Sequence, residues 1–355
     1  MDGSVPWVCH RSCRIRGELP WRRTPRRHGP QAARPLTATR SSQTRLTITA
    51  GLLPAVIFWH RDSGDDTQQA SGYTGFACPE RGSTTSKKRE TDTLNDHILL
   101  DSKSPVATVT FNRPSQRNAI SFDMWHEFSG IMQKLDADRD IRAVVITGAG
   151  GESFSAGADI QDFDDYRSDS TKGRGYNDAV NGALKALSEM ATPTISMIQG
   201  FAVGGGCELA VATDLRIASD DSRMGIPVGK LGISIGHREM RGLVNLVGKG
   251  NAMYILLSAR LLDAEESLRI GLVNQVVKPG DLHDYTYKLA NDIASLAPLS
   301  HAVNKLTMQQ VQNKPSLENL TKEEDDLPLI QFDTKDYLEG YKAFLEKRRP
   351  NFIGE

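Results

Sequence analysis

Regular alternation of apolar and polar positions begins near residue 97 and is absent before it. Val106-Ala-Thr-Val-Thr-Phe111 alternates with period two, which predicts a half-buried strand that Asn112-Arg113-Pro114 ends. Phe122, Trp125, Phe128, Ile131, Met132 and Leu135 then recur at helical spacing, with Ser121 as the expected N-cap. Ala143-Val-Val-Ile-Thr147 is a short unbroken apolar run before glycines, as in a strand buried on both faces. Thr194–Ile198 and Leu215–Ala218 predict further strands, and helix-length segments separate them. Strands alternating with helices predict an α/β fold. The C-terminal third reads as helical. Asp263-Ala-Glu-Glu266 has the form of a capping box, with Gly271 suited to the helix end. Further amphipathic stretches cover about 283–296 and Asp336 to Lys347.

The first ninety residues follow another rule. Prolines at 6, 20, 25, 30 and 35 forbid a long helix, and residues 61–93 are rich in Ser, Thr, Gly and Asp. Residues 1–93 are therefore expected to be a mostly disordered, Arg-rich extension. A folded core is expected over 94–290 and a helical region of the same domain over 291–355. Charge divides at the same place. Residues 1–90 hold 15 Lys+Arg against 7 Asp+Glu, a net of +8, whereas the remaining 265 hold 28 against 37, a net of −9. Ten Arg and ten Ser/Thr among the first fifty residues resemble an organelle transit peptide. A non-functional leader ahead of a start near residue 90 fits equally well. The expected location is cytoplasmic, or the mitochondrial matrix if the extension is a transit peptide.

Composition excludes several classes. No run of about 18 apolar residues exists, and the best candidate, Ala50 to Trp59, is broken by Pro54, so no membrane association is expected. Cys9, Cys13, Cys78 and Cys207 do not make a disulfide framework and suit a reducing compartment. Cys9 and Cys13 have no matching second pair for zinc, and the eight histidines are scattered, so no metal is expected. The acidic domain also argues against a nucleic-acid partner.

Two glycine clusters each follow a predicted strand: Gly148 through Asp159, and Gly200-Phe-Ala-Val-Gly-Gly-Gly-Cys-Glu208. A dinucleotide fingerprint fails because Ser153 stands where its third glycine is required. The second cluster suits an anion site instead. A helix beginning near Gly205 would aim unpaired N–H groups and its positive dipole end at one spot. Glu208 then falls three residues on, roughly 4.5 Å along the axis on nearly the same face. An acid beside an oxyanion-stabilising N–H is what proton transfer next to a carbonyl requires. On spacing alone, Glu208 equally well serves the helix N-terminus. Asp159 and Asp162 are expected to cap helices.

Residues 97–355 resemble the crotonase (enoyl-CoA hydratase/isomerase) family. The likeness is carried by Phe111-Asn-Arg-Pro114 with Arg117-Asn-Ala-Ile120, Phe154-Ser-Ala-Gly-Ala-Asp159, Gly200 through Glu208, Gly225-Ile-Pro227, and Ala264 through Gly271-Leu-Val-Asn-Gln-Val276. It implies a crotonase (ClpP-like) spiral of repeated ββα units, a C-terminal helical trimerisation region, and a homotrimer or dimer of trimers. It also implies an acyl-CoA or enoyl-CoA substrate, coenzyme A being part of that substrate, with no separate cofactor. The thioester oxygen would sit between the N–H groups of Ala158 and Gly205, with Glu208 as acid/base. Arg117, Asn118, Ala119, Ala156, Gly157 and Ala158 fall at substrate-binding positions by the same likeness. So do Asp159, Ile160, Gly204, Gly205, Val228 and His237.

One position departs from the pattern. Hydratases of the family carry a second glutamate after the Gly-x-Pro of residues 225–227, where this chain has Val228. A valine moves no proton, so the resemblance leaves hydration, double-bond isomerisation and decarboxylation open, together with acyl-CoA or RNA binding without turnover. Substitute acids are sought in Gly232 through Met240, where His237 and Glu239 are candidates. The same segment holds Gly232-Ile-Ser234-Ile-Gly236, the form of a serine-hydrolase elbow. The glycines and proline just before it are wrong for the strand such an elbow needs.

Overall fold

The computed structural model describes residues 96–355. The readings of residues 1–93 (disorder, targeting, leader, zinc) lie outside the described residues.

Among the described residues, ten strands make two sheets. In chain order they are β1 (Ile98–Asp101), β2 (Val106–Phe111), β3 (Ala143–Gly148), β4 (Ser153–Ser155), β5 (Thr194–Ile198), β6 (Phe201–Val203), β7 (Leu215–Ser219), β8 (Arg223–Gly225), β9 (Leu262–Asp263) and β10 (Gln275–Val277). The larger sheet runs β1-β2-β3-β5-β7-β10 and the smaller β4-β6-β8-β9. Only β1 and β9 pair antiparallel. Ten helices accompany them: α1 (Phe122–Ala137), α2 (Phe163–Tyr166), α3 (Ser170–Ser188), α4 (Gly205–Ala212), α5 (His237–Ser258), α6 (Ala264–Arg269), α7 (Leu282–Ala294), α8 (Pro298–Asn313), α9 (Lys322–Asp326) and α10 (Lys335–Glu346).

The order of strands makes the chain a spiral. β3, β5 and β7 each lie in the larger sheet, and each is followed within a few residues by β4, β6 or β8 in the smaller one. Helices then return the chain for the next turn: α2 and α3 after β4, α4 after β6, α5 after β8. This is the stacked ββα architecture that the resemblance implies, and a helical C-terminal region follows it. All described residues fall in one compact unit.

Side-chain pattern explains the layers. In β2, Ala107, Val109 and Phe111 enter the main core, which α1, α3 and α4 complete. Both faces of β3 are covered: Val144 and Ile146 join that core, whereas Ala143 and Val145 meet Leu282, Ala290 and Ala294 of α7. That double burial is why β3 reads as an unbroken apolar run. The expected boundary at 290 thus falls inside a helix that covers the larger sheet. Caps formed as anticipated: the Ser121 hydroxyl accepts from Met124 N–H, and Asp263 accepts from Glu266 N–H at the start of α6. Gly271, just past α6, has φ +79.

Candidate active site

Two loops meet over the start of α4. The first is held from below by Asn118, which is fully buried: its Oδ1 accepts from Arg113 N–H, and its Nδ2 donates to the carbonyls of Ala149 and Ser153. Ser155 Oγ donates to Asn118 O and accepts from Gly157 N–H. Arg113 bonds Asp159 Oδ2 and the Ala119 carbonyl, each at 2.8 Å. These contacts fix residues 155–159 beside Ile120. Ile120 N–H donates to Gly157 O, and Asp159 N–H donates to Ile120 O. In such a parallel bridge the residue between, Ala158, turns its own N–H away from Ile120.

The second loop approaches from β6. Gly204 takes φ +55 and acts as N-cap, so α4 starts at Gly205 with no capping side chain over it. The loops touch at their glycines. A Cβ on Gly157, where φ is +92, would lie 2.5 Å from Val203 O and 3.0 Å from Gly205 N. A Cβ on Gly205 would lie 3.5 Å from Ala158 N and 3.1 Å from the Trp125 ring. At Gly157 only a bare backbone permits this approach, whereas a side chain at Gly205 would press on the Trp125 ring. The N–H groups of Ala156, Gly157, Asp159, Gly204 and Glu208 all donate within the protein. Those of Ala158 and Gly205 find no acceptor among the described residues.

Both residues line a cavity of about 130 Å³. Glu208, one turn along α4, lines the same cavity. Loss of solvent there raises its pKa to about 7; the charge of Glu239 pushes the same way, and Arg167 opposes both. Arg167 lies over the rings of Phe163 and Tyr176, at 4.6 and 4.7 Å. Tyr176 is itself buried, accepts from the Trp125 indole N–H at 3.0 Å, and is pushed up to about 12 by burial. Cys207 is buried beside this site, and burial pushes its thiol to about 12, which leaves no thiolate for chemistry at neutral pH.

The cavity gathers Ala156, Ala158, Ile160, Gly204, Gly205, Glu208 and Val228 from the sequence-derived set. Others in that set do not line it. Asn118 and Ala119 are buried supports beneath the first loop, and Gly157 is buried within it where the two loops touch. Asp159 pairs with Arg113 and caps a short 3-10 turn at Ile160–Asp162. Asp162 accepts from Phe122 N–H at the start of α1. Arg117 is exposed and pairs with Glu152, and His237 is exposed as the first residue of α5. Glu239, two residues on, does line the cavity.

Sequence reasoning missed one wall: Phe163, Arg167, Tyr176 and Asn177 from the α2–α3 segment, which has no glycine cluster to mark it. Trp125 was legible only as a core position and serves both core and cavity. Ser234 also lines the cavity, but the residues before it form a 3-10 turn at Val228–Lys230 rather than a strand, so no hydrolase elbow exists. Among the described residues no group of His, Cys, Asp and Glu is placed to hold a metal, and no helix is long and apolar enough to cross a membrane.

Comparisons with known proteins point to one family. The model of the enoyl-CoA hydratase/isomerase family matches residues 101–355. A short-chain-enoyl-CoA hydratase of Clostridium acetobutylicum is 35% identical over 254 residues, which is 72% of this chain and 96% of that protein. An (E)-benzylidenesuccinyl-CoA hydratase of Thauera aromatica is 35% identical over 258 residues, covering 72% of this chain and 99% of its own. Among solved structures, an enoyl-CoA hydratase/carnithine racemase from Magnetospirillum magneticum superposes with a TM-score of 0.71 at 33% identity, covering 74% of this chain and 97% of that one. The spiral, the paired glycine loops and these likenesses converge: the chain belongs to the enoyl-CoA hydratase/isomerase family.

Proposed function

We propose that the protein adds water to, removes water from, or shifts a C=C bond of an enoyl-CoA, with Ala158 N–H and Gly205 N–H as the oxyanion hole and Glu208 as acid/base. One observation carries this reading. Two neighbouring N–H groups find no acceptor among the described residues, beside a carboxyl whose pKa is raised to about 7. In water an unpaired N–H costs nothing; here the pair lies at the end of a helix in a walled cavity, where it favours developing negative charge. A thioester oxygen placed between the two donors gains stabilisation as the adjacent carbon loses or accepts a proton. Glu208 is suited to that transfer because a group that titrates near the working pH gives and takes protons with little penalty. Coenzyme A enters as part of the substrate, and the site calls for no separate cofactor. A homotrimer or dimer of trimers is part of the same reading, supported by the exposed apolar side chains of α8, of α10 and of the turns between them.

Glu208→Gln tests the role. Turnover of the best enoyl-CoA should fall about 10²–10⁴-fold, with binding of a saturated acyl-CoA unchanged. An unaltered rate removes Glu208 from the chemistry. In deuterated water the wild-type protein should place label at the α-carbon. A protein that only binds CoA esters would place none, even in excess over the thioester.

A further inference from the structure

Val228 lines the cavity at the position where a second hydratase glutamate would stand, yet a second glutamate, Glu239 in the first turn of α5, lines the same cavity. The carboxylate folds back over Gly236, the N-cap of that helix: a Cβ at 236 would lie 2.5 Å from Glu239 Oε2. The glycine thus leaves the room that the carboxylate occupies. Oε2 is sealed from solvent and has no hydrogen-bond partner among the described residues. A glutamate three residues after an N-cap commonly bonds back to the N-cap N–H. No such bond forms at Gly236, so support of the helix start does not account for the placement. An unpaired buried carboxylate oxygen is destabilising, and such groups concentrate at functional sites. Glu239 also acts electrostatically on Glu208, which places both charges around one small space.

We propose that Glu239 is the second proton-handling carboxylate of this site, supplied by α5 in place of the residue that Val228 replaces. The inference rests on the enolate chemistry assigned to Ala158, Gly205 and Glu208, and extends it from one carboxylate to two. In the dehydration direction, Glu239 takes the α-proton of a 3-hydroxyacyl thioester. The C–H bond breaks, and its electron pair becomes the enolate held by the two N–H groups. Glu208, in its neutral form, gives its proton to the β-hydroxyl. The C–O bond breaks, water leaves, and the enolate pair closes the C=C bond. A proton passing from Glu239 to Glu208 through solvent resets the pair, and hydration is the same path reversed. Arg167, in the same cavity, offsets part of the repulsion between the two carboxylates.

The test uses the full chain with crotonyl-CoA hydration as the readout and calorimetric binding of butyryl-CoA as the control. Glu239→Gln should lower kcat about 10²–10⁴-fold with butyryl-CoA affinity held within about threefold. Glu239→Asp, which keeps the charge but withdraws it by one methylene, should lose about tenfold or more, and it remains informative if the glutamine variant folds poorly. Adding Val228→Glu to Glu239→Gln should restore about tenfold by returning a carboxylate to the opposite element. If both Glu239 variants keep wild-type kcat while Glu208→Gln is inactive, Glu239 has no catalytic part and the single-carboxylate reading stands alone. If the wild-type protein neither hydrates crotonyl-CoA nor exchanges α-protons, the assigned function falls, and the role of Glu239 falls with it.

Discussion

The spiral and the helices that follow it differ in how much of their apolar side chain they bury. From Ile98 to Ala294 the chain buries nearly all of its core, including Trp125, Phe111, Phe128 and Phe154. Beyond Ala294 only Val303, Leu327 and Ala343 join the buried apolar set. The same stretch exposes thirteen large apolar side chains, Phe332, Tyr341 and Phe344 among them, with Phe344 at 81% exposure. A surface of that kind is unusual on a protein that stays alone in solution. The spiral exposes nine, Leu257 at 76% among them, over a stretch more than three times as long, so it is the more nearly finished unit and the segment of α8–α10 the more apolar surface. Predictions that perturb each region separately measure how real the division is.

The largest effect is expected at Trp125. Its ring is buried between α1 and the glycine of α4, and its indole N–H donates to Tyr176. Trp125→Ala removes a large buried ring and leaves the Tyr176 hydroxyl without its donor. A loss of about 3–5 kcal/mol is expected in urea unfolding. A loss below about 1 kcal/mol would mean that the spiral is not packed as tightly as its burial implies.

Much of this division was legible in the sequence. Period-two alternation in Val106–Phe111 and the double-sided run of β3 identified strands correctly, because each is long enough for a side-chain period to show. The strands of the smaller sheet were not legible, being two or three residues long: Ser153–Ser155, Phe201–Val203 and Arg223–Gly225 lie inside or beside glycine clusters. No period can be read from three residues. Gly205 and Glu208 were candidates because a glycine turn into a helix sets both at fixed offsets, whereas Ala158 came from the family resemblance alone. Arg167 and Tyr176 were not candidates, because a side chain that crosses from a distant helix leaves no local pattern. Glu239 lies between: the segment was suspect, but only the fold shows that Glu239 enters the cavity while His237 stays outside.

The next effect tests the cost of keeping a carboxylate inside the finished unit. Glu208 is held at about 7 in the folded protein, above its ordinary 4.5, chiefly because burial disfavours its charge. A raised folded pKa means that the fold binds the proton more tightly than the unfolded chain does. Stability is therefore full below about pH 4.5, falls as pH rises to about 7, and stays lower above that. Glu208→Gln removes this dependence. The variant should match the wild type at pH 4 and exceed it by on the order of 1–3 kcal/mol at pH 8. Thermal unfolding at the two pH values reads the difference. Equal stability at pH 8 would show that water reaches Glu208 freely, which would weaken the electrostatic argument for the site.

The smallest effect on the folded chain, and the sharpest test of the division, is expected at Phe344. This side chain lies on α10, far from full burial, and adds little to the packing of its own protomer. Phe344→Asp should change protomer stability by less than about 0.5 kcal/mol, the ordinary range for a surface position. Its effect on assembly should be large, because a charge placed in an apolar interface must be stripped of water without a partner. Sedimentation of the wild-type protein should give a mass near three or six chains, and Phe344→Asp should lower it while far-ultraviolet circular dichroism stays the same. A variant that keeps the wild-type mass places the contact elsewhere on α8–α10. A wild-type protein that sediments as one chain would mean that the exposed apolar surface serves something other than a second copy.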